Sequence, residues 1–327
     1  MRKRIIFTAL AATVFLVAAC RSVSEHKQSE LSGKISVSGA FALYPLVVKW
    51  GQEFERLHPG VRVDVTAGGA GKGIADALRD NVNLGMVSRD VAQEEIDQGA
   101  WGITVARDAV LPTVSEANPY LNLLRERGIS KDEFYKIWVS EEINTWGDLL
   151  GNGATESINR YKRSDASGAA ETWAHYLGKG RDDLGGIGVF GDPGLAYAVS
   201  NDRFGIGYNN IAYVYDLRTQ QPVQGLSVIP IDLNANAKLD SSENFYHSHA
   251  ELVEAIASKC YPSPPGRELY FISNGPPKDA LIVEFFKWVL TDGQQYVPEM
   301  GYIRLSYLKT EAEVELINHY PASFPGN

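Results

Sequence analysis

Apolar and polar positions change period in alternation along most of this chain. Residues 34–38 read as a short strand. Between residues 44 and 57, Leu46, Val47, Trp50, Phe54 and Leu57 recur at helical spacing. Pro45 fits a first helical turn, where no amide donor is needed, and His58, Pro59 and Gly60 stop the helix. Residues 61–66 alternate as a strand, 71–79 read as a helix, and 84–87 as a buried strand. Strand and helix in regular succession predict an α/β architecture. The roughly 290 residues involved are many for one core and predict two lobes. We expect residues 33–110 with 265–327 in one lobe and 111–264 in the other. Crossing segments are expected near 109–115 and 261–271, which Pro112, Pro262, Pro264 and Pro265 punctuate.

Three strands end in small-residue turns that lead into helices, at residues 38–44, 67–73 and 163–170. A helix N-terminus exposes unpaired N–H groups and carries about half a positive charge. Glycine and alanine let an anion approach those donors closely. One such turn could be a tight loop only. Ala67-Gly68-Gly69-Ala70-Gly71-Lys72-Gly73 lacks the Gly-Lys-Ser/Thr ending of a P-loop. Three turns together predict an anion site.

The first residues have another character. Arg2, Lys3 and Arg4 precede an apolar run from Ile5 to Ala19, then Cys20. This pattern predicts an export signal over residues 1–19. Its apolar run is shorter than the roughly 20 residues that span a bilayer. Leu16-Val17-Ala18-Ala19-Cys20 resembles a bacterial lipobox, which implies acylation at Cys20 and a lipid anchor in the cell envelope, on the periplasmic or extracytoplasmic side. Polar residues 20–32 suit a tether. Cys260 is the other of the two cysteines, so a disulfide framework is not expected; we expect it to be a buried small residue. Net charge is −9, and loss of Arg2, Lys3 and Arg4 makes it −12. That charge disfavours nucleic-acid binding and requires any anion site to be built locally.

The turns, with Gly85-Met86-Val87-Ser88-Arg89 and Gly205-Ile206-Gly207-Tyr208, resemble the phosphate-binding proteins of ABC importers, a type II branch of the periplasmic-binding-protein fold. Arg163-Ser164-Asp165-Ala166-Ser167-Gly168-Ala169 is similar to that family's Arg-x-Asp-x-Ser-Gly-Thr. The resemblance runs from about Gly33 to Tyr307. It implies a monomeric receptor for inorganic phosphate or a related oxyanion, with permease subunits as partners and no required cofactor. By position, Arg163 supplies the charged donor, Ser167 a hydroxyl, and Gly168 and Ala169 their amides. Ala42, Leu43, Tyr44, Ala70 and Gly71 add amides from the opposite lobe. Arg89, with Ser88 beside it, supplies a second charge, Asp165 holds Arg163 in place, and Asp90 is the candidate acceptor for a phosphate proton. The sequence departs from the family where Ala42 (or Leu43), Ala70 and Ala169 replace Ser or Thr. Each lost neutral hydrogen bond is worth about 0.5–1.5 kcal/mol.

Residues 232–243 have the spacing of an EF-hand loop. Asp232, Asn234, Asn236, Asp240 and Glu243 take the oxygen positions, and Lys238 offers its carbonyl. Ala237 stands where that loop wants glycine, so a structural calcium site and a polar surface loop both remain open. The six histidines are scattered, and the sequence carries no Gly-x-Ser-x-Gly or His-Glu-x-x-His motif. An enzyme is therefore not expected. A surface sensor or adhesin that kept the fold without transport is the alternative.

Overall fold

The computed structural model describes residues 31–319; the leader, Cys20 and nearly all of the tether fall outside the described residues. The main sheet has nine strands, numbered in chain order: β1 Ser32–Gly39, β2 Gly60–Ala67, β3 Leu84–Val87, β4 Ala100–Ser115, β5 Asn159–Arg163, β6 Ile187–Val189, β7 Gly205–Asn210, β8 Leu226–Val228 and β9 Gly266–Asn274. Their order is β2-β1-β3-β9-β4-β7-β5-β6, with β8 added to β4. Two parallel groups result, β2-β1-β3 and β7-β5-β6, joined through antiparallel β9 and β4.

Strand β4 carries the chain from one group to the other. From Ala100 to Ala109 it pairs with β9, and from Val110 to Val114 with β7. This is the two-lobed α/β fold that the sequence predicts. The parallel groups matter for function because parallel strands feed helices at their carboxyl ends, where ligands of open α/β sheets bind. Helix α1 (Tyr44–Leu57) follows β1, α2 (Ala70–Leu78) follows β2, α3 (Gly168–Tyr176) follows β5, and α4 (Gly191–Asn201) follows β6.

Each group rests on an aromatic core. Helix α1 buries Leu46, Val47, Trp50 and Phe54, while Leu57 at its end is exposed. Phe54 meets Phe285 at 5.0 Å, and Phe271 stacks on Phe286 at 5.9 Å. In the other group Trp173 stacks on Tyr208 at 5.8 Å and meets Phe134 edge-on at 5.0 Å. These side chains are fully buried. Burial of a Phe side chain is worth about 1.5–3 kcal/mol, so the strand ends are carried on well-anchored supports.

The structure corrects one expectation directly. Cys260 is exposed, not buried. It lies three residues beyond the helix His249–Ala257, in the turn that leaves it, where the Ser258 hydroxyl reaches its sulfur at 3.5 Å. A chain leaving a helix over the surface has no core to fill.

Candidate anion-binding site

The first two turns are locked together by backbone. The Gly39 carbonyl accepts from Gly68 at 2.8 Å and Gly69 at 3.0 Å, and Ala40 donates to the Met86 carbonyl at 2.8 Å. Gly39 has φ +132°, and a Cβ there would stand 2.7 Å from Gly73 Cα, so glycine is required by both conformation and space. Behind the first turn, Tyr302 donates to the Ala42 carbonyl at 2.7 Å. Leu43 belongs to the core, and Tyr44 is half-buried beside an apolar groove that it shares with Phe41 and Pro45.

Arg163 ends β5, where its amide donates to the Tyr208 hydroxyl at 3.1 Å. Its side chain is 1% exposed. Nε donates to Asp165 Oδ1 at 2.8 Å and Nη2 to Asp165 Oδ2 at 2.6 Å, a two-pronged pair; Nη1 donates to Asp192 Oδ2. Burial works against the guanidinium charge, yet Asp192 and Asp165 outweigh it and raise the Arg163 pKa. Burial pushes the Asp192 carboxyl above its ordinary value, with Arg163 and Arg267 pulling the other way. The Phe41 ring lies over the guanidinium, 5.2 Å from Cζ.

Ser167 caps α3. Its hydroxyl accepts from the amides of Ala169 at 3.1 Å and Ala170 at 3.3 Å. The turns of the two halves then meet face to face. Gly71 donates to the Ala166 carbonyl at 3.0 Å, and a Cβ on Gly69 would stand 2.8 Å from both Ala166 O and Asp165 Oδ2. Gly168 packs on Ser88, and a Cβ on Gly191 would reach the Phe41 ring at 3.0 Å. Tyr213 donates to the Phe41 carbonyl at 3.0 Å, and Phe190 meets the Phe41 ring edge-on at 5.9 Å. Among the described residues, no acceptor meets the N–H groups of Phe41, Ala42, Ala70 or Gly168. Ala42, Ala70 and Gly168 are buried and Phe41 half-buried. Unpaired amides at the starts of helices are ready donors to an anion; here they stand on turns that meet beside an arginine.

The structure thus brings Ala70, Gly71, Ser88, Arg163, Asp165, Ser167, Gly168 and Ala169 to one interface, and Ala42 follows Phe41, whose ring meets Arg163. The amides of Gly71 and Ala169 are already spent, on Ala166 and Ser167. Arg89 and Asp90 stand apart. Arg89 forms a two-pronged pair with Glu95 at 2.7 and 2.8 Å, and Asp90 lies 3.5 Å from the Tyr270 hydroxyl. Both line a neighbouring cavity of about 700 Å³ with Glu171, His175, Lys179 and Arg267. Sequence reasoning missed Phe41 and Asp192. Asp192 had a visible signal, since Val189-Phe190-Gly191-Asp192 is a fourth strand end turning into a helix.

A family model described as a PBP superfamily domain matches residues 24–293. The chain belongs to the PBP superfamily. Among curated relatives of this superfamily member, the phosphate-binding protein PstS of Bacillus subtilis is 28% identical over 65% of this chain and 72% of its own. PstS of Pseudomonas aeruginosa is 26% identical over 85% of each. Among solved structures, a Clostridium perfringens chain assigned as a phosphate ABC transporter substrate-binding protein, with bound phosphate, has a TM-score of 0.68 at 21% identity. It is matched over 84% of this chain and all of its own. An ABC-type phosphate transport receptor from Vibrio cholerae has a TM-score of 0.60 at 18% identity, over 83% of this chain and all of its own. These likenesses to solved structures establish the fold.

The superfamily domain's loop at residues 232–243 turns its oxygens inward. Asp232 accepts from the amides of Asn236 at 3.3 Å and Ala237 at 2.7 Å. Glu243 accepts from Leu233 at 2.8 Å, Asn234 at 3.2 Å and Asp240 at 3.2 Å. Asp240 accepts from the side-chain amides of Asn234 and Asn236, each at 2.9 Å. Ala237 takes φ +57°, the left-handed conformation that favours glycine. Among the described residues, no group of three or more His, Cys, Asp or Glu side chains is placed to hold a metal ion.

Proposed function

We propose that this protein is an extracytoplasmic, lipid-anchored receptor that captures inorganic phosphate, or a similar tetrahedral oxyanion, and delivers it to an ABC importer. It acts as a monomer and catalyses no reaction. The observation that carries this reading is the set of unpaired amides of Phe41, Ala42, Ala70 and Gly168 around Arg163. Such donors on helix-starting turns, with a guanidinium beside them, form the chemistry that binds an oxyanion. The curated relatives' names agree with it. The facing turns are in contact, so entry requires the lobes to part at β4 and close again. Calorimetric titration of the mature chain with phosphate, arsenate and sulfate tests the reading. Saturable binding of phosphate without turnover supports it, and absence of binding by any oxyanion refutes it.

A further inference from the structure

Arg163 is overmatched by its own neighbours. Its guanidinium has five N–H donors, of which three already serve Asp165 and Asp192. One positive charge faces two carboxylates, and both pairs are almost wholly withdrawn from water, with side chains 1–6% exposed. An anion arriving here meets two remaining donors and a local charge of −1 when both carboxylates are ionised.

The two carboxylates have different places in the fold. Asp165 lies in the same turn as Arg163 and also accepts from the Gly191 amide at 3.1 Å, so it fixes the fork. Asp192 comes from the first turn of α4 and contacts the guanidinium from another element. Its other oxygen accepts from the Asn210 amide at 3.4 Å, a contact that a neutral amide oxygen can keep.

We propose that Asp192 is a specificity-determining residue of the oxyanion site: by sharing the Arg163 guanidinium with the ligand, it weakens binding of multiply charged anions and favours a singly charged, protonated oxyanion. This inference rests on the function proposed above. Like charges in one low-dielectric site repel strongly, so each negative charge added by the ligand is penalised by the one Asp192 already holds.

The groups that face Asp192 set when that penalty applies. They are Arg163 and Asp165 at the end of β5, Tyr208 on β7, Tyr213 just after it, and Tyr302. Arg267 on β9, with its partner Asp108 on β4, adds a second positive charge. Burial raises the Asp192 pKa. Where Asp192 is protonated the local charge is 0 instead of −1, and the penalty on an arriving anion is lifted.

The test is calorimetric titration with inorganic phosphate of the wild-type chain and Asp192→Asn, at several pH values from 8 down to 5. Asp192→Asn should bind phosphate about tenfold more tightly at pH 8. Its advantage over wild type should shrink as pH falls. Phosphate passes from its doubly to its singly charged form over this range, which Asp192 penalises less, so the ratio of the two affinities should narrow, whereas a purely structural role would leave that ratio flat. Asp192→Ser removes the same charge with a smaller side chain and should move in the same direction, which guards against a folding failure of one variant. If wild type binds phosphate and the folded variants bind it equally or less tightly, this inference is overturned and the receptor reading stands. If neither wild type nor variants bind phosphate, both fail together.

Discussion

Arg163→Ala is the perturbation with the largest consequences. It removes the single cation between Asp165 and Asp192, whose side chains are 6% and 1% exposed. Removal of one partner from a buried ion pair typically costs about 3–5 kcal/mol, because the remaining charge is left uncompensated. At roughly 2–4 °C per kcal/mol for a domain of this general size, the melting temperature should drop by on the order of 10 °C. The sign with pH follows from the carboxylates. Asp192, which burial already holds above its ordinary value, loses the Arg163 charge that pulls it down and rises further. The folded form then holds extra protons, and its stability falls as pH rises from the ordinary carboxylate range through the raised value. The deficit relative to wild type should therefore be larger at pH 8 than at pH 5. Thermal melts at both pH values measure it, and titration at pH 8 should show phosphate affinity reduced well over tenfold. Arg163→Lys should recover little, since an ammonium cannot replace the two-pronged contact. If Arg163→Ala melts like wild type at both pH values and binds phosphate equally well, Arg163 neither neutralises the buried carboxylates nor anchors the ligand.

Gly69→Ala forces a Cβ into a residue at φ +94°, 2.8 Å from Ala166 O and Asp165 Oδ2; small-angle scattering should show a more open particle and titration a weaker phosphate affinity. Glu243→Ala strips the acceptor from three backbone amides and should lower the melting temperature by several degrees whether or not calcium is present. A calcium-dependent rise in wild type that this variant loses would instead establish the loop as a cation site. Cys260, being exposed, should react with a thiol reagent in the native protein at the rate of a small-molecule thiol, and slow reaction would contradict its placement. Cys20→Ser should accumulate unprocessed precursor and lose labelling by a fatty-acid probe; normal processing would refute the lipid anchor.

Much of the fold was legible because its strongest signals are local. Leu84–Val87 is an unbroken apolar run and is buried at all four positions. The α1 stripe of Leu46, Val47, Trp50 and Phe54 faces the core as its period implies. The turn at Arg163 was legible for a different reason: Asp165 is two residues away, so the fork is written in one short segment. Asp192 was harder, because its pairing with Arg163 spans 29 positions of chain and depends on β6 lying beside β5. Phe41 was read as part of a small-residue turn, yet its ring crosses to the other half and covers the guanidinium. Arg89 shows the reverse. A basic residue beside Ser88 suits an anion site, but Glu95, six positions on, takes its fork.

A crystal structure of the mature chain with phosphate decides where the anion sits. The anion should lie between the facing turns, accepting from Arg163 and from the amides of Phe41 or Ala42, Ala70 and Gly168. Phosphate seated instead in the cavity beside Arg89, His175 and Lys179, with those four amides still unpaired, would contradict it.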